Sequence, residues 1–351
     1  MDRMDLEGLV EKLVGPIQTP PQKATREPWR NEGAAALRSL AEKGLLEAKD
    51  SLGAALVDSL VLISERPIWA PLAGGEGKPR LIAELVMNLD NPGRINQGLK
   101  ATCTTTCVEI YLARRDPAEY ARIVAGLLSQ EGRALMRSGE ELICDEDVLA
   151  PSRQEGHRNP ISRVFQAACM EFADGNLDYD NTSDGHYDKE ENVSAGLEMG
   201  PFETLLSALT GNAWKTTSRK NAMIAQVMKR MGLDTSGITD LERDALLIIE
   251  QSAEQGEAVF ATLDLVGVHV PGFHGPANLE HAAHKVLLMR IDKGKDEVHY
   301  EDPMDPEKPW FEGANVRIHD TAGHCSMPVA DFGRLLSELT YRADVWRGQR
   351  G

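Results

Sequence analysis

A glutamine at position 97 stands six residues ahead of a cysteine at position 103, and the cysteine opens an apolar helical run through Val108, Ile110 and Leu112. Those residue types in that order suit attack by sulfur on a carbonyl. A helix N-terminus favours the thiolate, and a nearby amide N–H can hold the oxyanion that forms. The remaining need is a base. His284 opens the apolar run 285–291, and the next strand, 297–300, leads into Glu301, Asp302 and Pro303. A base at the start of one strand and a carboxylate at the end of its hairpin neighbour can meet in space. A thiol–imidazole pair oriented by a third group needs that geometry. His284 is preferred over His281 because the strand begins at Lys285. Asp302 is preferred over Glu301, since neighbouring strand residues face opposite ways. Cys107, four residues after Cys103, reads as core.

The elements that must position these groups follow from hydrophobic spacing. Helices are expected over 33–64, 81–89, 161–173, 202–209, 218–231, 239–255 and 328–341, with two more between Thr104 and Ser129 separated near Asp116 and Pro117. Thr102 or Thr104 is the expected N-cap of the first of that pair. Strands are expected over 258–265 and in a hairpin 285–292/297–300 around Gly294. Helices precede strands along the chain, which indicates an α+β fold.

The order of these pieces resembles the papain-like cysteine peptidase superfamily, in the style of bacterial bacteriocin-processing peptidases and papain-fold effectors. The carriers are Gln97 six residues before Cys103, the helix starting at Cys103, a strand before His284, the Asp302–Pro303 close of the hairpin, and a later helix containing Asp331 and Phe332. The resemblance implies a helical N-terminal half whose nucleophile helix packs on a C-terminal antiparallel sheet. It implies a helical extension over 1–90 and a catalytic domain over 91–351 with a helical insertion at about 130–255. It implies Cys103 as nucleophile, His284 as base, Asp302 as its orienter and Gln97 as oxyanion donor, each such donor contributing on the order of 3 kcal/mol. The reaction implied is acyl transfer from an amide of a protein or peptide substrate, most simply peptide hydrolysis. Deamidases, transglutaminases and peptidoglycan amidases share the same constellation. The chain departs from the family at Lys100, at the threonines 104–106 and at Lys285. Those departures keep open a catalytically inactive papain-like fold used for binding or scaffolding.

The chemistry requires no cofactor. Two metal alternatives stand beside it. Cys103, Cys107, His281 and His284 could together ligate zinc. The acidic stretch 180–191 matches part of a calcium loop, with Asp180, Asp184, Asp188 and Glu191 as oxygen ligands and Gly185 at the sixth position. A solvated acidic loop explains that stretch more simply. The 351 residues carry a formal charge of −17, which argues against nucleic acid as a partner. No apolar run is long enough to span a bilayer, and no Sec-type signal opens the sequence. A cytoplasmic protein, or one exported without such a signal, is expected.

Overall fold

The computed structural model describes residues 3–16, 28–69, 72, 77–148, 155–173, 175, 177–188, 191–194, 197, 199–219, 228, 230–231, 241–264, 283–303, 317–318 and 323–346. The fold is α+β, divided into two compact units, Met1–Leu197 and Glu198–Gly351. This boundary differs from the expected one at 90/91. Residues 28–42 pack closely against residues 78–90, so the first 90 residues are part of the first unit rather than an extension. His281 and most of 218–231 lie outside the described residues.

The first unit contains helices α1 (Arg3–Val14), α2 (Pro28–Glu42), α3 (Leu56–Glu65), α4 (Lys78–Asp90), α5 (Cys103–Arg115) and α6 (Pro117–Leu128). A short ribbon, β1 (Arg133–Leu135) and β2 (Glu141–Ile143), precedes α7 (Pro160–Ala173). The unit also holds a three-stranded antiparallel sheet of β3 (Asp178–Asp180), β4 (Gly185–Asp188) and β5 (Glu191–Ser194). The acidic stretch is therefore mainly strand and turn. The supposed helical insertion contains β1–β5 and the strand 214–218.

The helix expected over 33–64 is two helices. Gly44 (φ 69°) and Gly53 (φ 85°) take left-handed backbone. The Asp50 carboxylate accepts the N–H groups of Leu52 (2.8 Å) and Ala54 (2.9 Å), a turn that competes with helix. By contrast α5 and α6 separate at Asp116–Pro117, where proline enters the first turn of a new helix.

The second unit begins with α8 (Met199–Thr210), β6 (Trp214–Ser218) and α9 (Leu241–Glu254). Then come β7 (Val259–Asp264), β8 (Ala283–Asp292), β9 (Glu297–Glu301), β10 (Arg317–Ile318), β11 (His324–Pro328), α10 (Val329–Leu335) and β12 (Leu336–Arg342). Seven strands form one antiparallel sheet in the order β10-β11-β9-β8-β7-β12-β6. One face packs Val259, Ala261, Val286, Leu288, Val298 and Tyr300 against Leu241, Ala245, Ile248 and Ile249 of α9. On the other face Phe260 meets Phe202 of α8 edge-on, with ring centroids 5.2 Å apart.

The helix expected over 328–341 ends at Leu335, where Arg219 Nη2 donates to the C=O groups of Gly333 (2.8 Å) and Arg334 (3.0 Å). The remainder is β12, paired on both sides with β6 and β7. A partner on each side outweighs local helix propensity. Among the described residues, no helix is long and apolar enough to cross a membrane.

The α2–α4 contact is tight enough to test. A Cβ on Gly33 would lie 2.6 Å from Ala83 Cβ and 3.1 Å from Val14 Cγ1. Gly33→Ala gains up to about 1 kcal/mol of helix propensity, yet the overlap is expected to win and destabilise the protein by about 1–2 kcal/mol. Adding Ala83→Gly restores the space, so denaturant titration should show the double variant recovering part of the loss.

Candidate active site

The first unit holds the sulfur. Cys103 is the first residue of α5 and is partly exposed, whereas Cys107 is fully buried in the core. Thr102 occupies the N-cap position, but its hydroxyl caps no backbone N–H. It donates instead to Gln166 Oε1 at 2.9 Å. The threonines that follow suit this buried helix start, because Thr105 and Thr106 turn their hydroxyls back onto the Thr102 C=O at 3.2 and 2.8 Å.

Upstream, residues 97–100 make a turn closed by the Lys100 N–H on the Gln97 C=O at 3.3 Å. Gly98 (φ 62°) supplies the positive φ at the first central position. An added Cβ there would sit 1.8 Å from the Glu155 C=O, so no other residue fits this path. The Gln97 side chain crosses the same turn, its Nε2 donating to the Lys100 C=O at 2.6 Å. Gln97 Oε1 is buried and has no hydrogen-bond partner among the described residues. From Ile95 to Thr102 every residue is buried except Leu99, 44% exposed, and the half-buried Ala101.

Behind the turn lies a buried polar network that the sequence reading did not identify. Gln166 Nε2 donates to the Asn96 C=O (3.2 Å) and to Glu109 Oε2 (2.8 Å), while its Oε1 accepts from Thr102. Glu109 Oε1 accepts from Tyr120 (2.6 Å) and Ser162 (2.9 Å). Burial raises the Glu109 carboxyl to about 7, although these three donors pull it down. The available sequence signal was Ser162 and Gln166 one helical turn apart inside an otherwise apolar stripe of α7.

The second unit holds His284, the residue expected to be the base. His284 Nε2 lies 2.9 Å from Asp302 Oδ1, with both side chains buried. His284 is the second residue of β8, and Asp302 directly follows β9. The hairpin turn between these strands is shaped by Asp292 Oδ1, which accepts the N–H groups of Gly294 (3.0 Å) and Lys295 (3.2 Å). Asp302 is anchored through its own N–H to the Gly323 C=O at 2.8 Å. Glu301 faces elsewhere, 3.6 Å from His324 Nδ1. Lys285 sends its ammonium 4.7 Å above the Phe202 ring and 3.7 Å from Glu338.

Two of the four proposed calcium ligands, Asp180 and Asp184, accept from neighbouring protein donors. Asp180 accepts from Thr182 N (2.7 Å) and Ser183 Oγ (2.8 Å), and Asp184 accepts from Ala101 N (2.8 Å) and Tyr179 Oη (2.9 Å). Asp188 ends β4 and Glu191 begins β5, so the stretch has the backbone of a hairpin rather than of a continuous binding loop. Among the described residues, the group of three or more ligating side chains within mutual reach is Asp145, Glu171 and Asp178. Burial and its acidic neighbours raise Glu171 to about 7, and burial raises Asp147 beside it to about 6.

No protein-family model matches the chain, and no curated protein matches it.

Glu109 gives a pH test of the network. Its folded value lies above its ordinary 4.5, so its contribution to stability is full below 4.5 and is lost as pH rises through about 7. Relative to Glu109→Gln, the wild type is expected to lose about 3 kcal/mol between those limits. Chemical denaturation of both proteins across that range checks this. A difference that does not change with pH would mean the carboxyl titrates normally.

Proposed function

We propose that this chain is a thiol-dependent amide hydrolase of papain-like fold, a cysteine peptidase in its simplest form. Cys103 attacks the carbonyl, and His284, oriented by Asp302, takes the thiol proton and returns it to the leaving amine. The Cys103 backbone N–H and the Gln97 amide hold the oxyanion, and water then releases the acyl group. The observation that carries this reading is the buried His284–Asp302 pair at 2.9 Å, an imidazole fixed by a carboxylate at the end of the adjacent strand. The turn that fixes Gln97 near the start of the Cys103 helix supports it.

One observation favours a second reading, an inactive papain-like fold that binds a partner. Gln97 Nε2 already donates to Lys100, so only its other N–H is left for an oxyanion.

The readings separate on a panel of labelled peptide amides. Cys103→Ala is expected to abolish cleavage and the iodoacetamide label at that position, and His284→Ala to lower kcat by about 10²–10⁴-fold. Undiminished turnover in Cys103→Ala would refute the hydrolase. A wild-type protein that takes the label yet turns over none of the panel would favour the binding protein.

A further inference from the structure

We propose that the β3–β4 turn is a clamp on the Gln97–Cys103 segment, with Lys100 and Asp184 as positioning residues; the proposal rests on the hydrolase reading. Lys100 is 1% exposed, and its ammonium donates to the C=O groups of Asn181 (2.5 Å) and Thr182 (3.3 Å). The next residue is held from the same turn, since Ala101 N–H donates to Asp184 Oδ2 at 2.8 Å. These two residues lie midway between the proposed oxyanion glutamine and the nucleophile.

The clamp is itself rigid. Asp184 takes a positive φ of 60°, uncommon for a residue with a Cβ, and Tyr179 Oη donates to its other oxygen at 2.9 Å. Arg158 fixes the opposite side of the turn, with Nη2 on Asn181 Oδ1 (2.6 Å) and Nε on Glu155 Oε2 (2.7 Å). A buried ammonium is costly unless its hydrogen bonds are made. Lys100 therefore cannot swing out without leaving the turn carbonyls, and the segment keeps one shape. A fixed segment holds the oxyanion donors at constant spacing through the reaction, so no reorganisation is needed when charge develops.

Two substitutions at one position isolate the effect. Asp184→Gly accepts the positive φ easily but deletes the acceptor. Asp184→Asn tolerates that φ and keeps an acceptor for Ala101 N–H. On a peptide amide cleaved by the full-length chain, Asp184→Gly is expected to lower kcat roughly 10- to 100-fold with KM changed by less than about twofold, and Asp184→Asn to stay within about threefold of wild type. Wild-type kcat in a folded Asp184→Gly protein would overturn the clamp, as would equal losses in both variants.

The rate of Cys103 alkylation by iodoacetamide, measured in the same proteins, needs no turnover. It should fall in Asp184→Gly and be retained in Asp184→Asn, and an unchanged rate in both overturns the clamp. Full amide hydrolysis by Cys103→Ala would sink the hydrolase reading alone, leaving alkylation to decide the clamp. Should Asp184→Gly fail to fold, hydrogen exchange of the wild type decides instead. Its Ala101 amide is expected to exchange more slowly than that of Leu99, and equal rates overturn the proposal.

Discussion

The first unit is organised around one buried carboxylate. Glu109 sits about one and two-thirds helical turns beyond Cys103, out of water, and accepts from three side chains drawn from two other helices. Its oxygens also decide which way the Gln166 amide points. With Nε2 turned toward Glu109 and the Asn96 carbonyl, Oε1 must face the Thr102 hydroxyl. The reversed amide would set oxygen against oxygen at both contacts. One amide thus joins the two ends of the segment that contains Gln97, and the geometry at the start of α5 follows from a choice made in the interior.

Cys103 in the first unit and His284 in the second are each held by different physics. Around Cys103 the support is side-chain hydrogen bonding in a buried polar interior, where each unmade bond costs more than a made one contributes. Around His284 the support is the β-ladder. Strands β8 and β9 are joined by a four-residue turn, and their register places the imidazole beside the carboxylate with one direct contact. Lys285, a departure from the resembled pattern, faces the other side of the sheet and stacks on Phe202. Its presence does not bear on the His284–Asp302 pair.

What could be read in the sequence was what is decided locally. The division of α5 from α6 at Asp116–Pro117 and the β8–β9 hairpin are short-range features, and both were legible. The break between α2 and α3 was missed because leucines at helical intervals masked Gly44, Asp50 and Gly53. β12 was missed because Leu335, Leu336 and Leu339 also suit a helix, and its partners lie far away in sequence. The contacts that shape the site were hidden for the same reason. Gln166 reaches the Asn96 carbonyl across 70 positions, and Asp184 reaches the Ala101 amide across 83. The acidic stretch reads as a ligand set because composition does not reveal that the oxygens of Asp180 and Asp184 accept from backbone and side-chain donors.

The place of β12 in the sheet has a consequence for how the second unit is made. It lies between β7 and β6, and its Thr340 hydroxyl bonds that of Thr216 at 2.9 Å across 124 positions. During synthesis β6 emerges well before β12, its ladder partner among the described residues. The β7–β8–β9 meander can zip as soon as it is complete, but the sheet stays open on one side. For most of its time on the ribosome, the unit exposes an unpaired strand edge, a feature that invites pairing with other chains. Assembly of this half is therefore timed by the arrival of β12, the strand that joins β6 to β7.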